Sequence, residues 1–264
     1  MIDYHVHSVL SGDASQTILA ACKSTLDVGV EELCFTEHAD FHPSDPNFNC
    51  FDYQEIKRQV EEVKEKYGDR LIIRLGVEID YQQEYDKEIR EFLGGNEFDY
   101  VLGSIHYVSD IPLVDHPRLF TGRIPRDTYG PYFDAVLGMI ETELFDTVAH
   151  LDVCKRHGVK YYGEFDPEPF AEQIRDILAA AIRREMTIEI NTSGLHQSPH
   201  DTYPSRSILE EYRSIGGTNI TVGSDSHHLE HVGSGIGCAL ALARDLGFDC
   251  VDTFNQRQRG KRTI

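Results

Sequence analysis

The sequence predicts an α/β fold in which about seven parallel strands, joined by helices, form a barrel. Short β-rich runs alternate with longer amphipathic stretches from one end of the 264 residues to the other. No low-complexity linker and no repeat of solenoid length interrupts this alternation. A barrel commonly fills such a length with one hydrophobic core, so we expect a single domain over residues 1–264.

The predicted strands are short runs rich in β-branched and other apolar residues. Their number is one fewer than in a standard eight-stranded barrel. We place them at Ile2–His5, Glu32–Thr36, Leu71–Ile79, Tyr100–Ser104, Thr147–Ala149, Thr187–Asn191 and Asn219–Gly223.

Amphipathic stretches between these runs predict the helices that parallel strands need as crossovers. In Tyr53–Tyr67, for example, Ile56, Val60 and Val63 recur at spacings of three and four among Glu and Lys. The other predicted helices are Tyr85–Leu93, Pro169–Arg184 and Ser207–Ile215. Between His106 and Thr128, three prolines and several charges predict a long loop, and long loops are commonly functional.

Composition limits the classes of partner and the cellular compartment. The formal net charge of −20 would repel a nucleic-acid backbone, so we expect no nucleic-acid partner. The sequence contains no stretch of about 18 apolar residues, so we expect no membrane span. No export signal is visible near the amino terminus, which favours the cytoplasm. The sequence leaves the oligomeric state open.

The cysteines are far apart and form no C-x-x-C pair, which argues against a zinc knuckle and against a disulfide scaffold. We expect reduced and mostly buried thiols. The six are Cys22, Cys34, Cys50, Cys154, Cys238 and Cys250.

Histidines and carboxylates occur at the ends of nearly all the predicted strands. His5 and His7 are two positions apart on an extended chain, so both side chains point to the same face. The further candidate metal ligands are Asp13, His38, Glu78, His106, His150, Asp225 and His227. The carboxyl ends of parallel barrel strands meet at one mouth, where these groups would converge. A single histidine there is more often a scaffold residue, but packing alone does not explain the whole set.

The types of ligand indicate catalytic rather than structural metal. Imidazole and carboxylate suit Zn, Mn or Fe, and the absence of thiolates from these positions disfavours a closed structural zinc site. Cations in loops after strand ends would bind a phosphate group, although solvated surface charge is the alternative for each. The candidates for substrate binding are Lys155, Arg156, Arg123 and His196, with Arg126 as a further loop cation.

These motifs resemble the polymerase and histidinol phosphatase (PHP) superfamily over nearly the whole chain. The shared runs are Asp-Tyr-His-Val-His-Ser (3–8), Phe-Thr-Glu-His (35–38), Gly-Val-Glu-Ile-Asp (76–80), Gly-Ser-Ile-His-Tyr (103–107), Ala-His-Leu-Asp (149–152) and Gly-Ser-Asp-Ser-His (223–227). Residues 98–107, 189–195 and 203–205 further resemble its histidinol-phosphate phosphatase branch.

The resemblance implies a distorted (β/α)7 TIM-like barrel holding two to three divalent metal ions (Zn, Mn or Fe). It implies a first ion at His5, His7, Glu78 and Asp225, a second at Glu78, His106 and His150, and a third at Asp13, His38 and His227. Glu78 would bridge two ions, and the catalytic residues would be Glu78, Asp225 and His227.

The expected reaction is hydrolysis of a small phosphomonoester, with L-histidinol phosphate in histidine biosynthesis as the implied substrate. The metals would activate water, and His227 or a water it binds would protonate the leaving alkoxide. Carboxylates such as Asp152, Glu37 or Asp110 would receive the cationic end of the substrate. The chain departs from the branch at His196 and Gln197, where basic residues are usual.

Three alternatives remain at the level of sequence. The same metals could cleave a nucleotide, a sugar phosphate or a phosphotyrosyl peptide. A PHP module can also serve a DNA polymerase without catalysis, but this chain contains no polymerase domain and is strongly acidic. Amidohydrolases likewise use His and Asp at strand ends in a barrel, and a fold does not determine a function.

Overall fold

The computed structural model describes residues 1–114 and 116–264. The strands along the described chain are β1 (Ile2–Val6), β2 (Glu32–Phe35), β3 (Ile72–Asp80), β4 (Tyr100–Ser104), β5 (Tyr107–Val108), β6 (Ile111–Pro112), β7 (Thr147–Val148), β8 (Thr187–Asn191), β9 (Ile220–Gly223), β10 (Cys250–Asn255) and β11 (Gln258–Thr263). Seven of them form one parallel sheet in the order β1-β2-β3-β4-β7-β8-β9. The predicted seven-stranded barrel is therefore confirmed.

Backbone hydrogen bonds close the barrel between β1 and the segment after β9. The N–H of Asp225 donates to the carbonyl of His5 at 2.7 Å, and the N–H of His7 donates to the carbonyl of Ser226 at 3.1 Å. The first and last strands of the sheet are thus joined at their carboxyl ends, where the candidate ligands lie.

Helices cover the outside of the barrel and bury one apolar face each, as in α2, where Ile56, Val60 and Val63 are buried. The helices along the described chain are α1 (Ile18–Asp27), α2 (Tyr53–Tyr67), α3 (Asp86–Gly95), α4 (Pro117–Phe120), α5 (Pro125–Glu141), α6 (Lys155–Tyr162), α7 (Ala171–Arg183), α8 (Arg206–Ser214) and α9 (Ile236–Asp245). The four predicted helices are confirmed to within two residues at each end. Among the described residues, no helix is long and apolar enough to cross a membrane.

The segment predicted as a long loop is only partly irregular. Strands β5 and β6 form a short antiparallel hairpin directly after His106, and α4 and α5 follow. Helix α5 begins at Pro125, because proline suits the first turn of a helix, where its missing N–H is not needed. The loop prediction is therefore wrong for this part, and Asp115 lies outside the described residues.

A C-terminal hairpin of β10 and β11, which the sequence patterns did not predict, closes the amino-terminal end of the barrel. The ring of Phe254 packs against Tyr4 and Tyr100. One Asp252 carboxylate oxygen accepts a hydrogen bond from the Thr187 hydroxyl at the start of β8, at 2.8 Å. Because this end is filled, the opposite end is the one open to ligands.

Candidate metal centre

The nine predicted ligands converge at the carboxyl ends of the barrel strands. They come from β1 and the loop after it, from β3, and from the segments that follow β2, β4, β7 and β9. Four groups of His and carboxylate atoms in this region are close enough to hold metal ions. These groups contain eight of the nine predicted ligands; Asp13 belongs to none of them, and Asp40, which was not predicted, belongs to one.

The first group lies where β1 meets the end of β9. The Nε2 atoms of His5 and His7 are 3.0 Å apart. Each lies near Oδ1 of Asp225, at 3.6 Å and 3.5 Å, and near Oε2 of Glu78, at 3.1 Å and 3.3 Å. Two ligands about 2.05 Å from one tetrahedral zinc ion would be separated by about 3.3 Å. The spacing of these atoms thus fits one ion.

Glu78 divides its two oxygens between neighbouring groups. While Oε2 faces His5 and His7, Oε1 lies 2.9 Å from Nε2 of His150 and 3.5 Å from Nε2 of His106. The side chain is buried at the end of β3. Each oxygen of Glu78 thus faces a different set of imidazoles, an arrangement in which the carboxylate would be able to contact two ions.

A third group is closer to solvent. Oδ2 of Asp13 lies 3.5 Å from Nε2 of His38 and 3.4 Å from Nε2 of His227. The ring of His7 stacks on both of these rings, with centroids 4.3 Å away in each case. The third group is therefore contiguous with the first.

Hydrogen bonds fix the tautomers of the two β1 histidines. Nδ1 of His5 lies 2.7 Å from Oε1 of Glu189, which can only accept when ionised. Nδ1 of His7 lies 3.0 Å from Oγ of Ser11, whose own hydrogen goes to Glu37. In the neutral rings, both Nε2 atoms consequently carry lone pairs that face each other. A cation between them satisfies both, so these residues fit a metal.

The imidazoles and carboxylates of the cluster shift one another's pKa values. Burial would raise the pKa of Glu78, but the imidazoles of His5 and His38 outweigh it and hold that pKa well below the ordinary range. Burial would likewise raise the pKa of Asp225, which His5 and His7 hold well below its ordinary value. Burial lowers the pKa of His106 to about 3. The carboxylates are therefore ionised and His106 is neutral at pH 7. Burial would lower the pKa of His5 and His38, but the surrounding carboxylates outweigh it and hold both well above the ordinary value, so metal binding must displace protons from these two rings.

A cavity of about 490 Å³ opens above the cluster. Seven of the nine candidate ligands line it, together with Arg156, Asp40, Asp45 and Tyr107. A small phosphate ester could enter this space, with its phosphate at the ligands and its other end between the loops after β2 and β4.

The four predicted substrate-binding residues occupy different environments. Arg156 lines the cavity. Lys155 does not, because its ammonium is buried in α6 and donates to Asp152 at 2.9 Å and Asp201 at 3.0 Å. Within the described structure, Arg123 and His196 also lie outside the cavity lining, and His196 stacks on His231 at 4.0 Å. Of the four, the structure brings only Arg156 to the candidate site.

The carboxylates expected at the cationic end of the substrate are elsewhere. Asp152 is buried with Lys155, Glu37 is buried and accepts hydrogen bonds from Ser8 and Ser11, and Asp110 is 82% exposed. Their place on the cavity wall is taken by Asp40 and Asp45. These two were missed because they follow β2 by several residues, outside the strand-end pattern.

Glu189 was also missed, because it lies inside strand β8 rather than at its end. It is 1% exposed and contacts the ring of His5 on β1 and the backbone N–H of His150, just after β7. A charged residue between Ile188 and Ile190, in a strand buried on both faces, is the signal that could have found it.

A closed parallel barrel whose mouth holds clustered imidazoles and carboxylates has the architecture of the metal-dependent barrel hydrolases. The family model described as "PHP domain" matches residues 3–193. The chain belongs to the PHP domain family, and the resemblance found in the sequence is confirmed.

Individual relatives match almost end to end. A histidinol-phosphatase of Lactococcus lactis is 28% identical over 96% of this chain and 94% of its own length. A Thermotoga maritima protein named "Probable histidinol-phosphatase" is 30% identical over 94% of both chains. A crystal structure of histidinol phosphate phosphatase from Lactococcus lactis, complexed with zinc, L-histidinol and phosphate, superposes with a TM-score of 0.91 at 26% identity, covering 98% of each chain.

Proposed function

We propose that the chain is a metal-dependent phosphatase that hydrolyses L-histidinol phosphate to L-histidinol and phosphate in histidine biosynthesis. The observation that carries this proposal is the cavity of about 490 Å³, which is lined by seven of the nine candidate ligands. The names of the relatives and the ligands of the solved Lactococcus structure agree with it. We place the reaction in the cytoplasm, with no nucleic-acid partner, consistent with the charge of −20.

The ligand cluster accounts for the catalytic power. Two to three divalent ions (Zn, Mn or Fe) would supply Lewis-acid chemistry, lowering the pKa of water and offsetting charge on the phosphoryl oxygens. The first ion would be held by His5, His7, Glu78 and Asp225. The second would be held by Glu78, His106 and His150, and the third by Asp13, His38 and His227. Glu78 and Asp225 serve catalysis by fixing the ions, and Glu78 also offsets their mutual repulsion.

Arg156 and His227 complete the set of residues proposed for the reaction. Arg156 lines the cavity and would bind the phosphate through its planar fork of N–H donors. His227 donates from Nδ1 to the carbonyl of Asp225 at 3.0 Å, which turns Nε2 toward the cavity side and Asp13. Nε2 of His227 cannot hold an ion and carry a proton at once, so His227 would protonate the leaving alkoxide only where the third site is empty, and a water beside it would do so where that site is filled.

Two further carboxylates in the cavity lining, Asp40 and Asp45, suit the cationic end of histidinol phosphate. Asp40 is 7% exposed, and its Oδ1 has no hydrogen-bond partner within the described structure. Asp45 lies further out and interacts with the Tyr107 hydroxyl. An ammonium and an imidazole on the substrate would satisfy these acceptors, and a site built for polar groups rejects analogues that lack them.

A substrate panel tests the proposal. Purified enzyme is reconstituted with Zn, Mn or Fe, and phosphate release is measured from L-histidinol phosphate, a nucleoside monophosphate, a sugar phosphate, a phosphotyrosyl peptide and a simple alkyl phosphate. We expect kcat/KM to favour histidinol phosphate by at least two orders of magnitude. A clear preference for the nucleotide, sugar phosphate or phosphotyrosyl peptide would overturn the substrate assignment, and full activity after metal removal would overturn the mechanism.

A further inference from the structure

Strand β8 contributes no candidate ligand, yet it contains a carboxylate that touches ligands of two groups. Glu189 is 1% exposed, and a buried charge needs compensating partners. Its Oε1 lies 2.7 Å from Nδ1 of His5. Its Oε2 accepts a hydrogen bond from the backbone N–H of His150 at 2.8 Å. One side chain therefore holds a ligand of the first group by its ring and a ligand of the second group by its backbone.

The bond to His5 determines which ring nitrogen is available. Because Oε1 accepts from Nδ1, Nε2 is left to face His7 at 3.0 Å. Were the ring proton on Nε2 instead, His5 could not ligate a metal through that atom. Glu189 thus selects the tautomer that metal binding needs.

The bond to His150 holds an unusual backbone. The φ angle of His150 is +23°, a region that residues other than glycine rarely adopt and that costs energy unless neighbouring groups hold it. The N–H bond to Glu189 is one such constraint. It fixes the direction in which His150 places Nε2, 2.9 Å from Oε1 of Glu78.

Both contacts require two acceptors on one side chain. Ionised glutamate offers two accepting oxygens, whereas glutamine offers one oxygen and one NH₂ group. In either orientation, the amide of a glutamine would place a donor against Nδ1–H of His5 or against N–H of His150. The carboxylate is therefore matched to this position in a way that its isostere is not.

We propose that Glu189 is a positioning residue that sets the tautomer of His5 and the backbone of His150, and so makes the first two metal sites depend on one side chain. Glu189 is not itself one of the proposed ligands. The inference rests on the proposed function only through the assignment of His5 and His150 as ligands.

The test compares Glu189→Gln with wild type by metal affinity, which needs no turnover. Metal-free protein is titrated with Zn or Mn against a chelator of known affinity, and bound metal is counted by elemental analysis. We expect affinity at the first two sites to fall by about 10- to 100-fold, the range for loss of a partner that orients a metal-bound histidine. Excess metal should restore part of the activity.

Asp252→Asn is the matched control, because Asp252 is a buried carboxylate bonded to the other end of the same strand through Thr187. It should lower thermal stability without changing metal affinity. Glu189→Asp keeps both acceptor oxygens but places them farther from His5 and His150, so it should lose less metal affinity than Glu189→Gln. It replaces Glu189→Gln in the test if the glutamine variant does not fold.

Wild-type metal affinity in Glu189→Gln, or an equal loss in Asp252→Asn, would overturn the inference. Failure of the wild-type enzyme to hydrolyse histidinol phosphate would overturn the substrate assignment alone, because the affinity measurement is independent of it.

Discussion

Gly223 on β9 lies directly against Glu189 on β8. A Cβ atom at Gly223 would lie 2.4 Å from Oε1 of Glu189 and 2.4 Å from Cβ of His5. Both distances are far inside van der Waals contact, so only glycine leaves room for the bond between Glu189 and His5.

Gly223→Ala should therefore disturb the metal centre by displacing Glu189 and His5. We expect the added methyl to cost about 1–3 kcal/mol of stability through overpacking and to lower metal affinity at the first site. Gly138→Ala is the control, because a Cβ there meets nothing within 4 Å. Chelator competition and thermal melting should separate the two variants, and unchanged metal affinity in Gly223→Ala would contradict the prediction.

Replacing Glu78 with Gln should harm activity more than replacing Asp13 with Asn. Glu78 faces His5 with one oxygen and His150 with the other, whereas Asp13 belongs to the outer group alone. We expect Glu78→Gln to lose bound metal at two sites and at least 100-fold in kcat, and Asp13→Asn to lose metal at one. Elemental analysis and steady-state kinetics make the comparison, and a Glu78→Gln enzyme that kept both metals and its rate would refute the bridge.

Arg156→Ala should weaken phosphate binding. Charge-assisted hydrogen bonds to a bound anion contribute about 1.5–3 kcal/mol each, so we expect kcat/KM to fall by about 10- to 150-fold with metal content unchanged. Arg70→Ala removes the same charge at the other end of the barrel, before β3, and should have little effect. Inhibition by inorganic phosphate should weaken in parallel for Arg156→Ala only; equal inhibition of both variants would argue against a phosphate contact.

Lys155→Met should lower stability rather than substrate affinity. The substitution leaves Asp152 and Asp201 without their cation, and breaking a buried pair typically costs about 3–5 kcal/mol. We expect the lower end, because Asp201 is 42% exposed. Urea unfolding measures the loss. A raised KM with normal stability would instead support the role in substrate binding that the sequence predicted.

The buried cysteines should resist alkylation over the pH range in which the protein stays folded. Burial raises the pKa of Cys22 to about 12 and holds the pKa of Cys34 and Cys154 well above the ordinary value. Their reactive thiolate forms are therefore suppressed at pH 8 and still at pH 10. Mass spectrometry after iodoacetamide treatment should find label at the exposed Cys50 and Cys238 and none at the buried three. Label at Cys34 in folded protein would contradict this.

Local sequence patterns were sufficient to predict the barrel strands and the residues at their ends. Strand runs and the residues that end them are contiguous in the chain, and parallel strands bring their ends together whatever the loops do, so the ligand cluster could be located. Lys155 was misplaced because its partner Asp201 is 46 residues away, and such pairing is visible only in the folded chain. The first turn of helix α5 was mistaken for loop because Pro125 stands at the start of the helix.

Asp225 and His5 come from opposite edges of the sheet, and backbone hydrogen bonds join the same two segments. An ion held by both side chains would link the first and last strands of the barrel where the sheet closes. Thermal separation of these two strands would then have to release the ion. Free metal at a thousand times its dissociation constant would add about 4 kcal/mol to the free energy of unfolding. The supply of metal in the cell would thus affect the stability of the folded enzyme as well as its rate.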